Sequence, residues 1–162
     1  MLSELYDERV HLDERIALVE QKLQTISSQH ADCQRLLTIP GVGLLTATAL
    51  IAAIGDISVF KSGRELAAWL GRVPRQHSTG GKATLLGISK RGDCYLRTLL
   101  IHGGRSVARV AHQQTDQRNQ WISDMKQRRG ENITNVAIAN KNARIAWAIL
   151  TKKETYKLAA AA

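Results

Sequence analysis

The chain has 162 residues, a formal net charge of +9 and a pI near 10.0, a balance that points to an anionic partner, with nucleic acid the commonest for a protein of this size. The sequence holds no apolar run of about 18 residues, and its first residues are acidic and polar, which excludes a membrane-spanning helix and a secretory signal and predicts a cytoplasmic protein. Two distant cysteines, Cys33 and Cys94, exclude a disulfide framework or a zinc motif, and 4% aromatic residues with two prolines favour an all-α fold.

Met1 to about Gln29 contains neither glycine nor proline. Leu5, Leu12, Val19 and Ile26 recur every seven residues, with Ile16 and Leu23 four positions after two of them. That pattern predicts a coiled-coil helix over 1–35, packing within the chain or pairing with a second copy as a homo-oligomer. Leu36 to Ile54 changes character: Pro40 should stop the preceding helix, and Gly41 and Gly43 permit a tight reversal into an apolar helix. The expectation is a helix-hairpin-helix, whose second helix would offer unpaired backbone amides and a positive dipole end to a phosphate at Gly41 and Gly43.

Gly55 and Asp56 end that helix, and Ser62-Gly63-Arg64-Glu65 has the form of a capping box opening the next. Arg72 to Lys82, containing Pro74, Gly80 and Gly81, reads as an exposed loop. Lys90-Arg91-Gly92-Asp93 reads as a second loop, with Asp93 as the N-cap of a helix whose apolar face is Leu96, Leu99, Leu100, Gly103, Val107 and Val110. Arg97, Arg105 and Arg109 share another stripe of that helix. Charge is concentrated here: Phe60 to Val110 holds ten basic and two acidic residues, against four basic and seven acidic in Met1 to Leu36. After a polar stretch from Gln113 to Gly130, loop or partly helical, Ile133, Val136, Ala137, Asn140, Ala143, Trp147 and Leu150 predict a last amphipathic helix. Residues 36–152 thus form one compact helical domain, and 153–162 a flexible tail.

Chemistry is concentrated between Gln76 and Lys82. A serine that attacks a phosphodiester needs cations or amides at the developing charge and a backbone that approaches the substrate closely. Ser78 and Thr79, between His77 and two glycines and flanked by Arg75 and Lys82, meet that need, although Ser, Thr and Gly also dominate ordinary loops. The acidic residues Glu4, Asp7, Glu8, Asp13 and Glu14 read as a solvated helix face rather than a metal site.

Leu37-x-x-x-Pro40-Gly41-Val42-Gly43, Trp69 to Lys82 and Gly87-Ile88-Ser89-Lys90-Arg91-Gly92-Asp93-x-Tyr95-Leu96-Arg97 keep the order and spacing of a known pattern. From about Leu36 to Leu150 the sequence resembles the C-terminal transposase domain of the one-ten insertion-sequence family, the bridge-RNA-guided recombinases, and the preceding helix is similar to that family's coiled coil. The resemblance implies a two-part active site: a RuvC-like domain holding Mg²⁺ with four acidic residues, and a C-terminal domain supplying a serine that becomes joined to DNA. Ser78 matches that serine, Thr79 is the alternative, and Ser89 is a third position. Arg75, Gly80, Gly81, Lys82, Lys90, Arg91, Arg97 and Arg105 would then hold phosphates, with DNA and a guide RNA as partners. As no acidic quartet is present, the expectation is a truncated or split transposase that binds nucleic acid but cannot recombine alone. Two rivals stand beside this one: a non-catalytic helix-hairpin-helix module and an oligomerisation fragment.

Overall fold

The computed structural model describes residues 1–71, 74–79, 82–89 and 91–157, with the backbone alone at 74–79 and 82–86. Its body is helical. In chain order the helices are α1 (Leu2–Gln29), α2 (Ala31–Leu37), α3 (Leu44–Ile54), α4 (Gly63–Trp69), α5 (Cys94–Val110), α6 (Gln117–Arg129) and α7 (Glu131–Lys152). Strands β1 (Pro74–Thr79) and β2 (Lys82–Ile88) form an antiparallel ribbon between α4 and α5. No helix among the described residues is long and apolar enough to cross a membrane.

Local chemistry sets most of the boundaries. Ser62 accepts from the Glu65 amide at 3.3 Å, and the Glu65 carboxylate accepts from the Lys61 amide at 2.7 Å, so the box reaches one residue further back than its usual form. Asp93 caps α5 by accepting from the Leu96 amide at 2.8 Å. Asp116, whose capping role the sequence did not announce, accepts from the amides of Arg118 and Asn119 and opens α6 across the stretch read as loop or partial helix.

Helix α7 is the centre of the domain, packing against α2, α4, α5 and α6. The main core gathers Leu36, Leu50, Leu66, Leu70, Leu96, Leu100 and Leu150 around it, and a smaller cluster joins Val107, Ala111, Ile122 and Ile138. The expected inward face of α7 holds in part: Ala143 and Leu150 are buried and Trp147 packs against the core, but its N-terminal half is corrected. Ile133 is 56% exposed and Val136, Ala137 and Asn140 are half-buried, while Thr134, Asn135, Ile138, Ala139, Asn142, Ala146 and Ile149 are buried. Polar side chains shift the face because they are satisfied inside. Asn142 accepts from Arg118 Nη2 at 2.8 Å and donates to the Pro40 carbonyl at 3.0 Å, and Thr134 donates to the Gly130 carbonyl. On α5 the correction is smaller: Leu96, Leu100 and Val107 are buried as expected, but Val110 is 43% exposed, and Gly104 and Ala108 complete the inner face.

Arg118 belongs to the same network. Its residue is 8% exposed, its guanidinium donates to Tyr156 Oη, the Pro40 carbonyl and Asn142 Oδ1, and it lies 5.3 Å from the Tyr156 ring centroid. All three acceptors are neutral. The chain beyond α7 is thereby tied down as far as Tyr156, whose amide also donates to Thr38 Oγ1. Nearby, Lys153 and Arg35 both reach Asp32. Burial pulls the Asp32 carboxyl upward, but the hydrogen bonds from these two cations outweigh it and hold the group below its ordinary value.

Helix α1 stands apart from this packing. Leu5, Leu12, Ile16, Val19 and Ile26 are 44–64% exposed, Leu23 is half-buried, and among the described residues the helix packs chiefly on α2 and α3. The heptad seam is therefore not spent on the domain's own core.

The turn between α2 and α3 crosses α5 at contact distance. Gly41 has φ +87°, and a Cβ built there would fall 2.7 Å from the Gly103 carbonyl oxygen; one on Gly103 would fall 1.8 Å from the Gly41 carbonyl oxygen. Two glycines are needed for the backbones to meet. Gly103→Ala should therefore cost about 2–4 kcal/mol in urea unfolding despite alanine's better helix propensity, whereas Gly43→Ala, with open space around its Cβ, should stay within about 0.5 kcal/mol of the parent.

Candidate functional site

The segment expected to be a loop is instead the ribbon. Thr79 pairs with Lys82, Ser78 with Ala83, His77 with Thr84 and Gln76 with Leu85, then an irregularity precedes the Pro74–Ile88 pair. Two glycines separate the paired Thr79 and Lys82 in sequence, which is a hairpin signal; polar composition concealed it. The register places Ser78 and Thr79 in the last two pairs of β1. Since neighbours along a strand lie on opposite faces, Ser78 shares a face with Gln76, and Thr79 with His77.

The ribbon is rooted by a second close crossing. Gly71 (φ +71°) and Gly92 (φ +107°) flank it in sequence, and a Cβ on either would meet a carbonyl oxygen at 2.0 Å, that of Arg91 for Gly71 and that of Trp69 for Gly92. The segments entering and leaving the ribbon are thus held together by bare backbone. Asp93 then starts α5 at once, so the ribbon stands at the N-terminal end of that helix.

Among the residues expected to bind, Arg91, Arg105 and Arg109 are exposed and Arg97 is half-buried on α5. At 1.5 Å per residue Arg97 and Arg105 stand about 12 Å apart along the helix axis, so the stripe leads away from the ribbon root. Arg105 faces the α6–α7 junction, where its charge helps to hold the Glu131 carboxyl low after the dominant hydrogen bond from Lys126. Arg75, Ser78, Thr79 and Lys82 are placed by backbone and register; Gly80, Gly81 and Lys90 lie outside the described residues. Ser89 is half-buried just after β2. Gly43, exposed at the N-cap of α3, is the open position of the glycine pair, and Gly41 is the packed one.

The two thiols differ. Cys33 is buried, and burial together with the Asp32 charge pushes its pKa up, whereas Cys94 is exposed at the start of α5. Among the described residues no three His, Cys, Asp or Glu side chains converge as metal ligands.

Comparison with known proteins agrees with this arrangement of motifs. The model of the transposase IS116/IS110/IS902 family matches residues 33–120. The chain is 51% identical over 157 residues to a probable family 20 transposase of Pseudomonas aeruginosa, covering 97% of this chain and 46% of that protein. It is 49% identical over 160 residues to the transposase for insertion sequence element IS1111A of Coxiella burnetii, covering 99% and 44%. A pilin gene-inverting protein of Moraxella bovis is 36% identical over 80 residues, 45% of this chain and 25% of that protein. The chain therefore spans less than half the length of each of these relatives.

The neck yields a prediction independent of chemistry. Gly92→Ala places a methyl group against the Trp69 carbonyl and should lower stability by about 2–3 kcal/mol, read by urea unfolding, with the ribbon region gaining amide exchange before α7 does.

Proposed function

Because the chain belongs to the IS116/IS110/IS902 family of transposases, we propose that it is the strand-exchange part of a DNA transposase, with Ser78 as the nucleophile. The observation that carries the reading is the register of the ribbon: the serine of the family-like motif stands next to the terminal Thr79–Lys82 pair, on a rooted arm rather than a slack loop. In the step, Ser78 Oγ attacks a DNA phosphorus and a serine–phosphate bond forms. The P–O bond to one deoxyribose breaks, the departing oxygen takes up a proton, and the serine proton passes to a base. Attack by another strand's hydroxyl on the phosphoserine reverses the step and joins the new partner. Strand alternation separates His77 from Ser78, which disfavours His77 as that base.

Arg75, Lys82, Lys90, Arg91, Arg97 and Arg105, with the amides of Gly80 and Gly81, hold phosphates around the scissile one. The acidic residues and their Mg²⁺ come from a separate RuvC-like domain, a guide RNA selects the DNA, and the exposed seam of α1 joins copies as a coiled coil. The chain alone binds nucleic acid without completing recombination.

Supplying the acidic domain in trans, with guide RNA and target DNA, should yield a denaturation-resistant protein–DNA adduct. Ser78→Ala should abolish it while DNA affinity stays within about twofold; an adduct that survives Ser78→Ala and vanishes in Thr79→Ala would reassign the nucleophile. With about six phosphate contacts, affinity should fall roughly a thousandfold between 50 and 200 mM salt.

One observation favours a second reading. The N-cap of α3 is open at Gly43, with no side-chain cap and nothing within 4 Å of a built Cβ, as suits backbone amides that hold a phosphate in a helix-hairpin-helix without covalent chemistry. Gly43→Asp would cap the helix with its own carboxylate. In that reading it abolishes DNA binding without unfolding the protein, and Ser78→Ala changes nothing in the complete assembly.

A further inference from the structure

Helix α7 has two apolar faces, and one of them is only partly covered by the described residues. Ile133, Val136, Ala137, Ile145 and Ala148 form the floor of an open groove of about 1490 Å³. Ser62 at the N-cap of α4, Gly63 and Arg64 of α4, Trp121 of α6, and Gly87 and Ile88 at the end of β2 wall it. Arg64, Lys141 and Arg144 stand in it, and none of the three forms an ion pair with a described residue. Lys141 Nζ lies 4.3 Å from the Trp121 ring centroid, and burial, then the charges of Arg118 and Arg144, push its pKa down. The groove is apolar below, aromatic at one wall and positive, with no ion-paired counter-charge among the described residues.

Two occupants from the protein's own chemistry fit poorly. In α1 the seam is flanked by Glu8, Arg15 and Lys22 on one side and Asp13 and Glu20 on the other, so the helix of a second copy would bring two cations along with its three anions, a near-balanced set that answers poorly to the three cations of the groove. A DNA duplex presents phosphates but keeps its bases stacked inside, leaving the apolar floor wet. An unpaired nucleic-acid strand supplies both halves at once: flat base faces for α7 and Trp121, and one phosphate per nucleotide for the cations.

We propose that the groove between α4, α6 and α7 is a subsite for an unpaired nucleic-acid strand, its bases against Val136, Ala137 and Trp121 and its phosphates at Arg64, Lys141 and Arg144. The site rests on the reading that this chain works on nucleic acid, and it is distinct from the Ser78–Thr79 end of the ribbon and from the α5 stripe. Gly87 and Ile88 place the groove beside the root of the ribbon, where Ile88 pairs with Pro74. A strand seated in it is retained next to the arm that carries Ser78.

The test uses the 162-residue chain and three fluorescein-labelled probes of one sequence: single-stranded DNA, single-stranded RNA and duplex DNA. Binding is read by anisotropy. Val136→Glu sets a carboxylate on the floor, and the double variant Lys141→Gln/Arg144→Gln removes two cations; circular dichroism melting confirms that each is folded. Val136→Glu should weaken single-strand binding about tenfold and leave duplex binding within about twofold. The double variant should lower the single-strand salt slope by about 1.4. A larger loss on the DNA probe, or on the RNA probe, identifies which strand the groove serves. Equal losses on strand and duplex, or unchanged strand affinity, overturn the proposal while duplex binding still supports the wider reading. A dimer that Val136→Glu dissociates with strand affinity intact also overturns it, assigning the groove to protein. Absence of binding to all three probes refutes both.

Discussion

The carbonyl of Pro40 organises the domain. It accepts from Asn142 at 3.0 Å and from Arg118 at 3.3 Å, so a single oxygen in the α2–α3 turn is shared by α7 and α6. Burying a guanidinium is costly unless its donors are met, and here neutral acceptors meet them: an amide, a phenol and a peptide carbonyl. The Nε of Arg118 has no partner among the described residues, so the network is not fully satisfied and its positive charge is not cancelled. That charge is felt at Lys141, in the groove on the other side of the network.

The clamp also decides how α7 is turned. With Asn142 inward, helical geometry carries Asn135, Ala139 and Ala146 inward with it and sends Ile133, Val136, Ala137 and Lys141 outward. The groove is therefore a consequence of satisfying Pro40 rather than a separate construction. Small residues on the inner face allow the close packing: a Cβ on Gly104 would meet the Asn135 carbonyl at 2.6 Å, and one on Gly63 would meet the Arg144 backbone at 3.0 Å. Ile138, Ile149 and Leu150 are buried along with the alanines and asparagines, while Ile133 stays on the exposed face.

The ribbon depends on the same device at another place. Gly41 with Gly103, and Gly71 and Gly92 with their neighbours' carbonyls, are backbone-to-backbone contacts with no room for a side chain. The first fixes the turn against α5, and the second fixes the ribbon to the start of α5. Glycines that a sequence reading treats as flexible are here the most constrained positions. Gly43 is the counter-example, exposed and open, which separates the two members of a motif that looks symmetric on paper.

The features legible in the sequence were those set within a few residues or by the chain's totals: the helical class, the caps at Ser62 and Asp93, the long seam of α1, the inward Leu96, Leu100 and Val107, and the excess of positive charge between Phe60 and Val110. Capping and amphipathic periodicity are local, so they survive without knowledge of neighbours. The family motif was legible for a related reason, since it consists of residue types at fixed short spacings. Tertiary structure alone decided the rest. The ribbon exists because β1 finds a partner strand across Gly80 and Gly81, and the pairing, not the composition of either strand, makes it regular. The orientation of α7 was legible only in part: Ala143 and Leu150 lie inward as the pattern expects, but Asn142 rather than Asn140 is inside, because Pro40 and Arg118, 102 and 24 residues away, supply its hydrogen bonds. Contacts over such separations carry no local signature, so Ile133 and Val136 read as core although they line the open groove.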